Sequence, residues 1–335
     1  MSFGNDARAQ VRPGQELARV CVSQGERARV LLGGAELEAV VAGALLYAAE
    51  SAAELPVTGD WVAVRRVDPE LVLIERVLER RSKIARRAPG RRGEEQVLAA
   101  NVDVALLMAG LDGDFNRRRI ERYLALAREG GVTPVVVLNK ADVAEDAGAR
   151  REEARQVARG VEVLVVSART GAGCGAVEAL LAHGVTAVLL GSSGAGKSTL
   201  LNRLLGMEVQ RTGAIRESDG RGRHTTTHRE LIELGSGAAL IDTPGLREVQ
   251  LWASEESVAA VFEEVAELAG ECRYRDCSHT REPGCAVREG VDAARLESFQ
   301  KLRREAERLS GELTEKQRWR SIHKAARQFY KLRGR

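Results

Sequence analysis

The stretch GSSGAGKS at residues 191–198 decides the fold expected for the chain. It continues the apolar run TAVLLG and leads into STLLNRLLG, so it joins a predicted buried strand to a predicted helix. The pattern matches G-x-x-x-x-G-K-[ST], in which glycines let backbone N–H groups surround phosphates at a helix N-terminus. Lys197 is expected to reach the outer phosphates, and Ser198 to bind Mg²⁺. The sequence predicts a phosphate loop, with a chance Gly-rich turn as the alternative.

Two motifs upstream of this loop predict which base is bound. NKAD at 139–142 ends the apolar run PVVVL, where ligands bind in open α/β sheets. Asp142 can accept hydrogen bonds from the ring N–H and the exocyclic amine of guanine, a donor pair that adenine lacks, while Asn139 and Lys140 shape the pocket. Ser167 and Ala168 end the next strand and can add a backbone contact, unless they are a plain strand end. GTP is therefore the expected nucleotide.

Downstream of the loop, DTPG at 242–245 follows the apolar run AALI. Asp242 is expected on the magnesium side, and the Gly245 N–H is placed to sense the γ-phosphate. The polar, Gly-rich segment between the two motifs has the composition of a mobile switch. One threonine of 225–227 should complete the Mg²⁺ shell, and spacing does not choose among them.

Leu246 stands where many GTPases carry a glutamine that orients the attacking water. Another group must then position the water, and His224, beside the threonines, is the first candidate. His228 is the second, and both can equally be ordinary loop residues. His224, Lys197 and Thr226 are the predicted catalytic residues.

The predicted GTP-binding set combines these motifs. Its members are Asn139, Lys140, Asp142, Ser167, Ala168, Gly191, Ser192, Ser193, Gly194, Ala195, Gly196, Lys197, Ser198, Thr199, Asp242 and Gly245. In the usual GTPase order the phosphate loop comes first, whereas here the base-reading motifs precede it. The order indicates a circular permutation of a parallel α/β domain.

The N-terminal part reads as short β segments, about five between residues 16 and 78, separated by Gly and Pro. Five short strands favour a small closed barrel, with an OB-fold as the first candidate and a generic small β domain as the alternative. Residues 1–10 are expected to be a tail. Residues 80–92 hold seven basic residues and no acid, which predicts a linker, either solvated or in contact with a polyanion.

Residues 272–285 read CRYRDCSHTREPGC. Cys272, Cys277, His279 and Cys285 make a closed Cys₃His set suited to one structural Zn²⁺, and free thiols are the alternative. Helices are expected at 255–270, at about 292–311 and at about 313–331. The last 20 residues hold eight basic residues and no acid, with three aromatics interleaved. Such a helix can bind a polyanion, lie on a membrane, or pack its aromatics inward.

Composition adds little about partners, because 51 basic and 48 acidic residues leave a net charge of only +3. The N-terminus lacks the apolar core of a signal peptide, and no apolar run is long enough to span a bilayer. Five cysteines make a poor disulfide framework. We expect a cytoplasmic, soluble monomer with reduced thiols and no membrane partner.

The sequence resembles the RsgA family of ribosome small subunit-dependent GTPases over essentially its whole length. The resemblance includes GDWV at 59–62, RRSKIARR at 80–87, EQVLAANVD at 95–103 and DFNRRRIERYL at 114–124. It continues through NKAD, GSSGAGKSTL, GRGRHTTTHREL and DTPG to the cysteine cluster. The family's proposed catalytic histidine, just before the three threonines, falls on His224.

The resemblance implies a GTPase that binds the small (30S) ribosomal subunit and its rRNA, is stimulated by it, and dissociates after hydrolysis late in subunit maturation. An RNA-binding adapter with structural GTP is the alternative, and a large-subunit GTPase is disfavoured by the barrel and the cysteine cluster. Arg86, Arg87, Arg320 and Lys324 are the predicted RNA contacts. The expected domains are a tail (1–10), an OB-fold RNA-binding domain (11–85), a basic linker (86–96), a circularly permuted P-loop GTPase domain (97–251) and a mostly α zinc-binding and basic helical domain (252–335).

Overall fold

The structure is a computed structural model of the 335-residue chain. It describes the backbone at residues 2–90, 93–206, 229–243 and 250–333, and side chains within these ranges from residue 6 to residue 315. The chain divides into two compact units: one contains 1–85 and 96–249, the other 86–95 and 250–335.

The N-terminal part of the first unit is a closed five-stranded barrel. Its elements are α1 (Ser2–Ala9), β1 (Glu16–Gln24), β2 (Arg27–Leu32), β3 (Ala35–Val41), α2 (Gly43–Ala48), β4 (Trp61–Arg66) and β5 (Leu71–Val77). The strands close in the order β1-β2-β3-β5-β4, with only the β3–β5 pair parallel. Alternate residues such as Val30, Val62 and Ile74 fill the interior. This is the five-stranded OB arrangement, and the predicted fold is confirmed.

One prediction for this region is wrong. The tail expected at 1–10 is instead the helix α1, because Ala7 is buried against Ala63 and Leu78 and gives the segment an apolar contact.

The basic linker predicted at 86–96 lies in strands at both of its ends. Strands β6 (Lys83–Arg87) and β7 (Glu95–Ala100) pair as a two-stranded sheet. Ile84 is fully buried and Ala85 nearly so, which explains why a segment dense in positive charge is a strand.

The rest of the first unit is a six-stranded sheet with helices. Its elements are β8 (Val104–Gly110), α3 (Arg117–Glu129), β9 (Thr133–Asn139), α4 (Ala147–Val157), β10 (Glu162–Val165), α5 (Cys174–Leu180), β11 (Thr186–Gly191), α6 (Lys197–Leu205), β12 (Glu230–Glu233) and β13 (Ala239–Asp242). The strand order is β10-β9-β8-β11-β13-β12, parallel throughout except for the edge strand β12.

The almost continuous burial of β8, β9 and β11 explains their unbroken apolar sequences, because helices cover both faces of such a sheet. Strands β9 and β10, which end at the motifs predicted to bind the base, lie on one side of β8, and β11, which leads into the predicted phosphate loop, lies on the other. The carboxyl ends of all five parallel strands therefore meet at one edge, although the motifs follow one another in permuted order.

The second unit is mostly helical. It contains α7 (Glu255–Ala259), α8 (Glu263–Ala269), α9 (Ala286–Gly290) and α10 (Ala293–Arg333). The single helix expected at 255–270 is two helices, since the chain turns at 260–262 to bury Phe262 against Phe299, with ring centroids 5.4 Å apart. The two helices expected at 292–331 are one, because Gly311 is accommodated inside α10. In the described part of the chain, the longest helix is too polar to cross a bilayer.

Candidate functional site

Asn139, the last residue of β9, joins the two halves of the site. Its Nδ2 donates to the carbonyl of Ala195 in the phosphate loop, and its Oδ1 accepts from the backbone N–H of Ala168, both at 3.0 Å. A Cβ on Gly196 would collide with this amide group, and Gly196 has φ +89°. A glycine is therefore required there for two reasons, its left-handed backbone and the close approach of Asn139.

Asp142 faces the turn that follows β10. Its Oδ1 accepts a hydrogen bond of 2.5 Å from the Ser167 hydroxyl, and the Arg169 guanidinium lies 2.6 Å from its Oδ2. The Ser167 hydrogen bond is the largest of the contributions that lower the pKa of Asp142 below its usual value, and a backbone hydrogen bond and the charge of Arg169 act in the same direction. The carboxylate is therefore ionised at neutral pH and can accept from a pair of donors.

The phosphate loop runs from the end of β11 into α6. Lys197 is 7% exposed, and its Nζ donates to the carbonyls of Gly191 and Ser192 at 2.9 and 2.8 Å. Burial lowers the pKa of Lys197. Ser193 and Gly194 are exposed at the tip, and Ser198 and Thr199 lie in the first turn of α6. A loop that ends in a helix N-terminus with a lysine beside it can bind a phosphate chain.

Asp242 ends β13 and is 1% exposed. The next residue, Thr243, donates from Oγ1 to the carbonyl of Leu189 on β11 at 2.6 Å, which fixes the strand end beside the phosphate loop. His224, Thr226 and Gly245 lie outside the described residues, as do the rest of the predicted switch and Leu246.

Three charged side chains at this edge, Asp112, Asp114 and Arg169, were not predicted from the sequence. Asp112 forms an ion pair with Lys140, and Asp114 accepts from the Ser192 hydroxyl while pairing with Arg119 at 2.7 Å. Both acids follow the buried strand β8, and that position at the carboxyl edge is the signal that could have found them. Arg169 directly follows the predicted Ser167–Ala168 pair, and that position beside the pair is the signal that could have found it.

The cysteine cluster in the second unit forms a compact donor set. The ligand atoms of Cys272, Cys277, His279 and Cys285 all lie within 4.8 Å of one another. Cys272 Sγ is 3.8 Å from Cys285 Sγ, and His279 Nδ1 is 3.7 and 3.5 Å from those two sulfurs. A tetrahedron with Zn–S bonds of about 2.3 Å has sulfur–sulfur edges of about 3.8 Å, so the residues fit one Zn²⁺.

The loop that carries this donor set is held by Glu282. Its carboxylate accepts from the backbone N–H groups of Ser278, Thr280 and Arg281, each at 3.0 Å. The Ser278 hydroxyl also donates to this carboxylate at 2.5 Å, and this bond, followed by the backbone bonds, keeps the pKa of Glu282 far below its usual value. His279 itself has φ +58°, and Gln300 on α10 donates to its carbonyl at 2.8 Å. Burial lowers the pKa of His279, which favours the neutral ring that binds metals.

Two of the four predicted RNA contacts have described side chains. The Arg87 guanidinium is half-buried and pairs with Glu312 of the same unit at 2.7 Å. Arg86 is also half-buried, and burial lowers its pKa. Arg320 and Lys324 lie on α10 beyond the last described side chain.

The chain is similar to two named relatives over nearly its full length. The small ribosomal subunit biogenesis GTPase RsgA of Opitutus terrae is 48% identical over 340 residues, covering 95% of this chain and 92% of that protein. The protein of the same name from Syntrophotalea carbinolica is 45% identical over 307 residues, covering 87% of this chain and 84% of its own.

Two solved structures share the fold. YjeQ from Thermotoga maritima matches with a TM-score of 0.63 at 24% identity, covering 87% of this chain and 98% of that one. YloQ, described as a circularly permuted GTPase, matches with a TM-score of 0.58 at 20% identity, covering 88% and 95%. These likenesses confirm the permuted fold predicted from the motif order.

A family model described as RsgA GTPase matches residues 77–252, from the end of the barrel through the last strand of the sheet. This match takes in more than half of the chain, and the named relatives cover most of the remainder. The chain therefore belongs to the RsgA GTPase family, as the motifs predicted, and is a GTP hydrolase.

Proposed function

We propose that this protein binds GTP at the carboxyl edge of its sheet and hydrolyses it on the small ribosomal subunit, so that hydrolysis releases the protein late in subunit maturation. The observation that carries the proposal is Asn139, which bonds to both the phosphate loop and the turn facing Asp142. The names of the relatives, small ribosomal subunit biogenesis GTPases, supply the proposed partner.

In this proposal the guanine base donates its ring N–H and exocyclic amine to Asp142. The base displaces Arg169, and the Ser167 hydroxyl continues to orient the carboxylate. The N–H groups of residues 192–199 and the ammonium of Lys197 bind the phosphates. Ser198, Asp242 and one threonine of 225–227 would hold Mg²⁺, which neutralises charge developing on the transferred phosphoryl group.

Because Leu246 cannot orient a water molecule, we propose that His224 does so. Lys197 and Thr226 complete the catalytic set, acting on phosphate charge and on the metal shell. In the second unit, Cys272, Cys277, His279 and Cys285 hold one structural Zn²⁺, and no ligand position remains open for catalysis.

We propose rRNA contacts on the barrel (11–85) and on the zinc-binding and helical region (252–335), with the GTPase domain at 97–251 between them in the sequence. Arg86, Arg320 and Lys324 are retained as proposed contacts. To contact RNA, Arg87 must exchange its ion pair with Glu312 for one with a phosphate. Its proposed contribution to RNA binding is therefore smaller. A role on the ribosome places the protein in the cytoplasm, and we propose that it acts as a monomer.

The test is GTP turnover with and without purified small subunits, for the wild type and His224→Ala. We expect stimulation of the wild type and a loss of about 100-fold or more in the stimulated rate of His224→Ala, with GTP affinity preserved. His183→Ala, an exposed histidine of the same unit, is the control and should behave as wild type. If small subunits bind without raising turnover, the protein is instead an RNA-binding adapter with structural GTP.

A further inference from the structure

Arg203 on α6 reaches the turn that follows β10. Its Nε donates to the carbonyl of Ala168 at 2.7 Å, and its Nη2 donates to the carbonyl of Arg169 at 3.0 Å. The two partners lie 35 and 34 positions upstream in the sequence. The planar guanidinium of Arg203 thus donates hydrogen bonds to two successive backbone carbonyls.

The turn at residues 167–171 leaves space for the Arg203 side chain beside Gly171. Gly171 has φ +90°, and a Cβ on it would lie 2.7 Å from Nη1 of Arg203. The Gly171 N–H donates to the carbonyl of Ser167 at 2.8 Å, and the Thr170 N–H donates to the Ser167 hydroxyl at 3.1 Å. The guanidinium therefore fills space that any larger residue at 171 would occupy.

Arg203 completes the fixation of the Ala168 backbone. Asn139 holds the N–H of Ala168 from one side, and Arg203 holds its carbonyl from the other. The preceding residue, Ser167, is the donor that orients Asp142. Since α6 also begins with Lys197, one helix connects the phosphate loop at its first turn with this turn at its last.

We propose that Arg203 is a positioning residue for guanine selectivity. It holds the 167–171 turn so that Ser167 presents Asp142 in the orientation that accepts both guanine donors. This inference rests on the proposed guanine pocket at Asp142. Hydrogen bonds from a charged donor to a carbonyl are stronger than neutral ones, so losing two of them loosens the turn without touching the phosphate contacts.

The readout that tests the positioning role is the difference in affinity between GDP and ADP. Loosening the base pocket weakens GDP binding and leaves ADP binding, which depends on the phosphate loop, nearly unchanged. Arg203→Ala should raise the Kd for GDP about tenfold and that for ADP less than twofold, by the loss of one or two charged hydrogen bonds. In turnover with GTP, KM should rise by a larger factor than kcat falls.

The experiment measures Kd values for GDP, IDP and ADP on the full chain by competition with a fluorescent GDP analogue. Arg203→Lys, which keeps the charge but lacks the fork, should give an intermediate Kd for GDP. Arg151→Ala, an exposed arginine on α4, is the control and should match the wild type. IDP lacks the exocyclic amine, so its affinity should fall less than that of GDP in Arg203→Ala.

The outcomes test the proposed guanine pocket and the positioning role of Arg203 separately. If the wild type does not prefer GDP to ADP, the proposed guanine pocket fails. If the wild type prefers GDP and both Arg203 variants keep that preference, or lose GDP and ADP affinity equally, the positioning role fails. Thermal unfolding of each variant is recorded, and if Arg203→Ala does not fold, the GDP-to-ADP ratio of Arg203→Lys decides.

Discussion

At the scale of single residues, the carboxyl edge of the sheet is a set of side chains that bond to each other. Lys140 pairs with Asp112, Ser192 with Asp114, and Arg169 with Asp142. The last of these pairs uses the carboxylate that the proposed guanine contact needs. The free energy of guanine binding there would include the cost of exchanging that contact.

Arg169 offers a direct test of this exchange. Its side chain is 72% exposed, so its ion pair with Asp142 is a weak one. Because the proposed guanine contact uses the same carboxylate, Arg169→Ala should raise GDP affinity by about two- to fivefold. Competition binding of GDP measures the change, with Arg155→Ala on α4 as the control. A fall in affinity would contradict the competition and indicate that Arg169 contacts the nucleotide.

At the scale of elements, a buried ion pair between Arg80 and Asp60 joins the segment that follows β5 to the residue just before β4. Arg80 donates to both oxygens of Asp60 at 2.7 Å, and also to the carbonyl of Leu55 at 2.9 Å. Asp60 is fully buried, and burial raises its pKa even though Arg80 acts in the opposite direction. Pairs of this kind are costly to break, because the remaining charge stays out of water.

Asp60→Asn should therefore destabilise the barrel strongly, by about 3–5 kcal/mol. The measurement is urea unfolding followed by Trp61 fluorescence, with Trp252 and Trp319 replaced by Phe. Glu16→Gln is the matched control, since it breaks the exposed Arg66–Glu16 pair and should cost less than about 1 kcal/mol. Equal effects of the two substitutions on the free energy of unfolding would show that the burial of Asp60 does not determine how much its ion pair stabilises the barrel.

The elements also show what the sequence could predict. The five barrel strands and the strands around the phosphate loop were recognisable, because each has local apolar periodicity and Gly or Pro at its ends. Strand β6 was not, because its buried Ile84 and Ala85 are hidden among basic residues. The continuity of α10 was missed at Gly311, since a glycine costs a helix only about 1 kcal/mol, which the rest of the helix can outweigh.

In the candidate site, too, some residues were recognisable from the sequence and others were not. Asn139, Asp142 and the 191–198 loop belong to short motifs whose chemistry is local, and they could be predicted from sequence. The contact of Arg203 with Ala168 spans 35 positions and depends on how α6 packs beside the 167–171 turn. A single sequence contains no local signal for such a pair.

At the scale of the whole molecule, the two units have separate structural supports. The first has the barrel and sheet cores, and the second has the cysteine cluster and the contacts of α10. Within the second unit, Arg295 bonds to Glu264 at 2.6 Å and lies over the Phe262 ring. The cysteine loop itself is mostly polar, is held by hydrogen bonds to Glu282, and would be tied further by the proposed zinc.

Removing zinc should therefore affect the units unequally. The protein should contain one zinc per chain, and a chelator should speed hydrogen exchange at 272–291 while GDP affinity changes less than about twofold. Cys272→Ser should mimic the chelator. Cys21→Ser, which alters a barrel thiol outside the cluster, should retain the zinc. Loss of GDP binding together with the metal would show that the nucleotide site depends on the second unit.

The permuted strand order has a consequence for synthesis of the chain. Translation delivers β8, β9 and β10 before β11, yet β11 is the neighbour that β8 needs on its other side. A nascent chain halted before Thr186 would hold a base-reading half-sheet with an open β8 edge and no phosphate loop. Open strand edges invite mispairing, so this growing intermediate is the stage at which we expect a chaperone to be needed.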